Sequence, residues 1–549
     1  MKRALIGVGV AVWIVVGAGV ALAQTIEGVV FVDENANGVV DPGETGLADV
    51  SVSDGASVVR TDNEGRFALE PDENARFVFV TTPTGTRATH GWFLPLDDGG
   101  VYGFPMTRVD TAGPLLFAQL SDVHYAPTPE EFKLGLRDRR MEILPDPILE
   151  DVRADINATG VDFAILAGDI VADSKYPDPD VVDRWMASMM RDYAAGFDAP
   201  FYGVVGNHDV VRDEAIGKSI YEAYAGPTYY SFDVKGVHVI VLDTQQLVGT
   251  SLVYTIDARQ LGWLEEDLGR VGPEAPILVF CHEPTYDWAD TPENDELFDL
   301  LHRAGITALL NGHWHTNAVL REEPFLEITS GAVCGAWWEG AGPDGSGFGY
   351  RLFRLVRGGL DSFWKEPGGS WVDVVEPSTA TLAWADRLEA SVWGRADSAS
   401  YRWDDGDAVP VDAFWNGLWS SISANLNVST LADGYHTLTL EFAMDGGTTA
   451  IDTRTYHVSN PTVSLEEIFA HEETYRGKLV AAPRLQVRAA MGSDISAYDE
   501  TKTIIISKFP YSVARNDAIG IVGMYRPTGT APIKAYDGVF FTVWDEDED

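Results

Sequence analysis

Only two cysteines, Cys281 and Cys334, occur in 549 residues, too few to expect a cysteine-ligated metal site. Two buried free thiols are expected, with pairing in an oxidising compartment as the alternative. Positive charge is also scarce: 39 Lys and Arg stand against 84 Asp and Glu, a formal net charge of −45. Such a surface repels nucleic acid and anionic membranes over about 8–10 Å in ordinary salt, so no nucleic-acid partner is expected and large polyanions are poor substrates. After the first 23 residues no second run is long and apolar enough to span a bilayer. Disorder is excluded by a hydrophobic content of 45%, ordinary for globular chains.

The length suggests three or four domains. Residues 1–23 read as an export signal, with Lys2 and Arg3, an apolar stretch, and Ala21-Leu22-Ala23 before Gln24. Cleavage after Ala23 is expected, an uncleaved anchor being the alternative. The corresponding location is exported: periplasmic, cell-surface or secreted.

Between residues 115 and 315, five apolar runs end in residues able to bind metal. Leu115–Leu120 precedes Asp122 and His124, and Phe163–Ala167 precedes Gly168-Asp169. Phe201–Val205 precedes Gly206-Asn207-His208-Asp209, Ile277–Phe280 precedes His282, and Ile306–Leu310 precedes Gly312-His313-Trp314-His315. Continuous apolar runs of this length read as buried strands. In open α/β sheets the ligand crevice lies beyond the carboxyl ends of strands, so side chains far apart in sequence can converge there. A mixed carboxylate and imidazole set suits Zn, Mn or Fe, and two such ions about 3.5–4 Å apart can activate water and clamp a phosphoryl group. The glycines before Asp169, Asn207 and His313 are expected to permit tight turns.

These five motifs, in this order, resemble the calcineurin-like metallophosphoesterases, and the segment Gly331–Trp338 with Asp344-Gly345 and Gly349-Tyr350-Arg351 resembles the bacterial exported branch with β domains on either side. The resemblance implies a four-layer α/β/β/α sandwich over residues 113–362. It implies one ion on Asp122, His124, Asp169 and His315, and another on Asp169, Asn207, His282 and His313, with Asp169 bridging. His208 would stabilise the phosphoryl oxygens and protonate the leaving group once substrate is bound, with Asp209 orienting it; a helix N-cap is the other reading of Asp209. The implied reaction is hydrolysis of small phosphate monoesters or diesters by in-line attack of a metal-bound hydroxide. The alternative is a non-catalytic surface protein that binds a phosphorylated ligand.

Two departures narrow the expectation. Protein Ser/Thr phosphatases carry Gly-Asp-x-x-Asp-Arg-Gly, but Gly168-Asp169-Ile170-Val171-Ala172-Asp173-Ser174 lacks that substrate-gripping arginine. Purple acid phosphatases place an iron-binding tyrosine where Ala172 stands, so no tyrosinate-to-iron colour is expected. Trp314, Trp337 and Trp338 read either as a stacking rim for an organic leaving group or as packing residues.

Residues 24–112 alternate β-branched and polar residues between glycine-rich turns, as in a small β-sandwich. Within them Asp33, Asn35, Asn37, Asp41 and Glu44 have the spacing of an EF-hand loop, with Gly38 at the sixth position. Its flanks read as strands, and the unit resembles calcium-stabilised B-type repeats of surface proteins. A structural calcium ion is one reading and an ion-free polar turn the other. Residues 363–460 resemble an Ig-like module, and residues 461–549, ending in an acidic tail, look OB-like. A spacer or contact with the cell envelope is the role expected of these β domains.

Overall fold

The computed structural model describes residues 25–96, 101–342, 344, 346–356, 359–377, 381–382, 385–428 and 431–458, with the backbone of six further strands between residues 479 and 544. The expected export signal lies outside the described residues.

The apolar runs of the central region form strands buried on both faces. Leu116–Leu120 pairs in parallel with Phe163–Ala167, which pairs in parallel with Phe201–Val204. On the far side of Leu116–Leu120, the antiparallel pair Tyr350–Val356 and Gly359–Lys365 completes a five-stranded sheet. The sheet therefore continues past residue 362. A second sheet has the order Tyr230–Val234, Val237–Val241, Ile277–Phe280, Ala308–Asn311, Leu326–Thr329, Ala318–Arg321, its four middle strands parallel.

Strand alternation divides each run between two cores. Leu116, Ala118 and Leu120 share a cluster with Leu149, Val152 and Ile156 of helix Pro145–Thr159 and with Val182 and Trp185 of helix Pro179–Met186. Phe117, Phe163 and Ile165 face the other way, towards the second sheet and its Leu278 and Phe280. There Phe117 stacks on Phe163 at 4.8 Å and meets Phe280 edge-on at 5.9 Å. Helices Ala258–Leu268 and Pro292–Ala304 join this cluster through Leu261, Leu264, Leu297 and Leu301. Helix Pro292–Ala304 starts where the Thr291 side chain accepts from Asn294 N and ends at Gly305 in the left-handed conformation. The result is a mixed α/β unit with two facing sheets, and because both faces are covered, parallel strands such as Phe163–Ala167 and Ile277–Phe280 carry no polar residue.

Residues 26–108 form two four-stranded sheets around Val30, Val52, Phe67, Val78, Val80 and Phe104. Val58 and Phe79 point out of this sandwich into the core of the central unit, and Thr81 Oγ1 meets Ser231 Oγ at 3.0 Å. Residues 372–458 form two further sheets of four and five strands around Leu388, Ile422, Leu438 and Phe442. Farther on, Leu479–Met491, Asp494–Tyr498, Thr503–Ser507, Ile533–Lys534 and Ala518–Tyr525 pair successively, and the last of these also pairs with the first. These five strands close into a ring.

One buried ion network beside the Thr81 contact carries a pH signature. His238 lies between Asp233 (Nδ1 to Oδ1, 2.7 Å) and Asp267 (Nε2 to Oδ2, 2.9 Å). Burial alone would drive its proton off, but the two carboxylates outweigh burial and raise it to about 10. Its folded value exceeds its unfolded one, so its stabilisation is complete below pH 6.5 and disappears as pH rises through about 10. The unfolding free energy is expected to fall by on the order of 4 kcal/mol between neutral pH and pH 10.5, and much less in His238→Gln. Parallel denaturant titrations of both proteins across that range check this.

Candidate metal centre

The loops after five parallel strands bring Asp122, His124, Asp169, Asn207, His282, His313 and His315 to one place. Asp122 (φ 51°), His124 (φ 46°), Asp169 (φ 52°), His313 (φ 68°) and His315 (φ 54°) all have left-handed backbone. Each such residue costs roughly 1–2 kcal/mol, and strain concentrated this way persists only where the surroundings over-determine a functional geometry.

The glycines have a different reason from the one expected at two positions. Gly168 does need its positive φ of 89°, and a Cβ there would also strike the His282 ring. At Gly206 the constraint is close approach, since a Cβ would run into the backbone N of Asp169. A Cβ at Gly312 would likewise meet Ser121 and Asp122.

Backbone carbonyls fix the histidine tautomers. His315 Nδ1 lies 2.7 Å from Gly335 O, His282 Nδ1 2.8 Å from Ala167 O, and His124 Nδ1 3.4 Å from Ala172 O. A carbonyl only accepts, so each Nδ1 carries the hydrogen and each Nε2 presents a lone pair. His124 Nε2 and His315 Nε2 then face each other at 3.2 Å. Two lone pairs at that distance repel unless a cation lies against both. Between them points Asp122 Oδ1, a buried oxygen with no hydrogen-bond partner among the described residues, 3.5 Å from His315 Nε2 and 3.9 Å from His124 Nε2. Its companion Oδ2 is occupied by Ser121 Oγ and His313 N.

Asp169 divides its carboxylate the same way. Oδ1 accepts from His208 N at 2.8 Å. Oδ2 is left 3.6 Å from His124 Nε2 and 3.1 Å from His282 Nε2, the arrangement of an oxygen shared between two ligand sets. Near it, His282 Nε2 lies 3.2 Å from Asn207 Oδ1 and 3.3 Å from His313 Nδ1. Burial opposes ionisation of Asp169, but His282 and His208 hold it well below the ordinary carboxylate value. Burial, helped by His208 and His315 and opposed by Asp169, keeps His124 well below the ordinary imidazole value. For His282 burial is outweighed by Asp169 and Glu283, which raise it well above that value, so a proton and a cation compete for its Nε2. This donor set fits divalent metal ions.

His208 is half-buried at the opening, its ring edge-on to His124 at 4.7 Å, and its Nδ1 lies 3.0 Å from Ala172 O. Asp209 does not orient it. Asp209 Oδ1 accepts from Ile170 N and Val171 N, and Oδ2 from Gly206 N. That carboxylate clamps the loop after Gly206 onto the loop after Asp169, because the short turn 207–209 directs it inward and away from the imidazole. Burial, reinforced by Asp169, raises Asp209 to about 8 against these three donors. The carboxylate near His208 is Asp173, its Oδ2 3.7 Å from Nδ1, at the position where protein phosphatases carry their arginine.

The three tryptophans separate. Trp338 is core, fully buried with Nε1 donating to Val123 O at 2.9 Å. Trp337 is half-buried and covers His124 at 4.1 Å and His315 at 4.8 Å between ring centroids. Trp314 stands at the other rim beside Tyr286, donating to Asp287. Cys281 and Cys334 are buried free thiols. Cys334 Sγ lies 3.8 Å from His315 Nδ1 and is close to both His124 and His315.

In the amino-terminal sandwich, the oxygens of Asp33, Asn35, Asn37, Asp41 and Glu44 turn inward onto their own loop. Asp33 accepts from Asn37 N and Gly38 N, Asn35 from Asn37 N, Asn37 from Val39 N, Asp41 from the amides of Asn35 and Asn37, and Glu44 from Glu34 N and Asp41 N.

The family described as calcineurin-like phosphoesterase matches residues 115–317, the span that contains every residue of this centre. The chain carries a calcineurin-like phosphoesterase domain. Residues 34–94 match the amino-terminal domain associated with such phosphoesterases. A cAMP/cGMP dual specificity phosphodiesterase of Mycobacterium tuberculosis is 32% identical over 197 residues, covering 33% of this chain and 59% of that protein. The serine/threonine-protein phosphatase CPPED1 of Mus musculus is 30% identical over 176 residues, covering 28% and 54%. Purple acid phosphatase 22 of Arabidopsis thaliana is 25% identical over 182 residues, covering 29% and 39%. The chain thus spans about half the length of the first two relatives. Against a dimetal phosphatase structure from Danio rerio it has 17% identity and a TM-score of 0.34, covering 46% of this chain and 99% of that one. Within the phosphoesterase domain, the strands after residue 317 are as integral as those before, since Tyr350–Val356 hydrogen-bonds directly to Leu116–Leu120.

Proposed function

We propose that this chain is an exported, dinuclear metal-dependent phosphoesterase that hydrolyses small phosphate monoesters or diesters by in-line displacement. The reading is carried by the inward-facing Nε2 pair of His124 and His315 beside the unpartnered Asp122 Oδ1. Asp122, His124, Asp169 and His315 would hold one ion, and Asp169, Asn207, His282 and His313 the other. The donor set suits Zn, Mn or Fe. Two such ions would lower the pKa of a water and clamp the phosphoryl oxygens. His208, fixed through Nδ1 on Ala172 O, keeps Nε2 for the phosphoryl and leaving-group oxygens and hands the latter its proton. Trp337 keeps water off the imidazoles of His124 and His315. The activities named for the relatives, phosphodiesterase and phosphatase, support a phosphate ester as substrate.

Export is supported by the pattern of residues 1–23. The two sheets at 372–458 support an Ig-like module, and the closed strand ring after residue 479 supports an OB-like one, both read as spacers or envelope contacts. The EF-hand spacing of the oxygen-bearing side chains at 33–44 supports a structural calcium ion; EGTA is then expected to lower the unfolding temperature, and an unchanged temperature would leave a plain polar turn.

Turnover of p-nitrophenyl phosphate and bis(p-nitrophenyl) phosphate by the manganese-loaded chain tests the central reading. Activity lost on chelation and restored by metal supports it. A metal-loaded protein that turns over neither ester would instead be a phospho-ligand-binding surface protein.

A further inference from the structure

The arginine of the protein phosphatases is replaced here by Asp173, yet a guanidinium reaches the opening of this centre from another loop. Arg212 lies three residues after Asp209, and its Nη2 donates to the carbonyl of Asn207 at 3.2 Å. It is half-buried, and its Nε is buried with no partner among the described residues. Among those residues no carboxylate oxygen lies within 4.0 Å of it. Removing a cation from water costs several kcal/mol unless an anion answers it. A chain with 84 acidic residues against 39 basic ones has no shortage of anions to supply, so this unanswered charge calls for an explanation.

Position supplies one. Asp122, His124, Asp169 and His282 are buried, whereas His208, His313, Tyr254, Trp337 and Arg212 are half-buried. Asp173, Tyr254, Asp169 and Glu283 act on the Arg212 charge at longer range, which places it at the edge of the centre.

The geometry points to Arg212 as the residue that recognises substrate charge, its free donors binding a phosphoryl oxygen and favouring monoesters over diesters. This rests on the phosphoesterase reading. Two ions engage two unesterified oxygens; a monoester has a third, and a guanidinium fork matches it in charge and shape. A diester has none to offer.

The test compares wild type, Arg212→Gln and Arg212→Lys in the full manganese-loaded chain. The readouts are metal content, binding of inorganic phosphate by calorimetry, and kcat and KM on p-nitrophenyl phosphate and its bis ester. Arg212→Gln is expected to weaken phosphate binding about 30-fold and to lower monoester kcat/KM by a similar factor, mostly through KM. The diester should change less than about 5-fold, and Arg212→Lys should recover part of the loss with metal content constant. Unchanged phosphate affinity, or equal losses on both esters, overturns the inference. So does metal loss in Arg212→Gln, which would reduce Arg212 to a prop for Asn207. If phosphate binding depends on Arg212 but no ester is turned over, the inference stands and the phosphoesterase reading falls.

Discussion

Asp169→Asn is expected to abolish the second ion and to lower turnover by at least about 10³-fold, the loss corresponding to several kcal/mol of transition-state stabilisation. The argument lies in how Asp169 is held. Its Oδ1 is taken by the backbone amide of His208, leaving Oδ2 alone between His124 and His282. An asparagine in that pose presents either one neutral oxygen or an amide nitrogen with no lone pair to give, and neither can serve two cations. Without that charge, four imidazoles, the neutral Asn207 amide and the Asp122 carboxylate remain to hold two dications at close range. Metal analysis after dialysis, with turnover on both nitrophenyl esters, checks this. Retention of two ions per chain would contradict it.

His208→Ala is the contrasting case, expected to reduce turnover about 10²–10³-fold while leaving two ions bound. Its side chain is outside both proposed ligand sets, and its hydrogen bond to Asp169 comes from the backbone amide, which alanine keeps. What is lost is an imidazole oriented by Ala172 O at the opening of the site. The deficit should be largest for esters with poor leaving groups, because those depend most on proton delivery. Metal content falling in parallel with activity would instead make His208 a ligand, and an unchanged rate would remove it from the chemistry.

Much of this centre was legible because its strands are covered on both sides. Phe163–Ala167 and Ile277–Phe280 read as uninterrupted apolar runs, so the first polar residue beyond each one stands out. The chemistry of residues that follow such runs is read directly from their identity. Residues whose role depends on turn geometry were not legible. Asp209 follows His208 directly, but the turn at 207–209 folds its carboxylate back to Gly206 N, while Asp173, a full loop away in sequence, comes nearest the imidazole. Trp337 and Trp338 are adjacent and chemically identical; both have positive φ, and the resulting backbone path sends one over the imidazoles and the other into the core. Arg212 sits in a polar loop where no periodicity marks it, and only the missing partner of its Nε gives it away. Val58 and Phe79 read as ordinary strand residues of the amino-terminal sandwich, and nothing local indicates that they leave its core to enter the neighbouring one.

The most direct test is an anomalous-scattering structure of the manganese-loaded chain. Two peaks about 3.5–4 Å apart are predicted, one within reach of Asp122, His124 and His315, the other within reach of Asn207, His282 and His313, with Asp169 Oδ2 touching both. A single peak, or two peaks with Asp169 bound to neither or only one, would contradict the account.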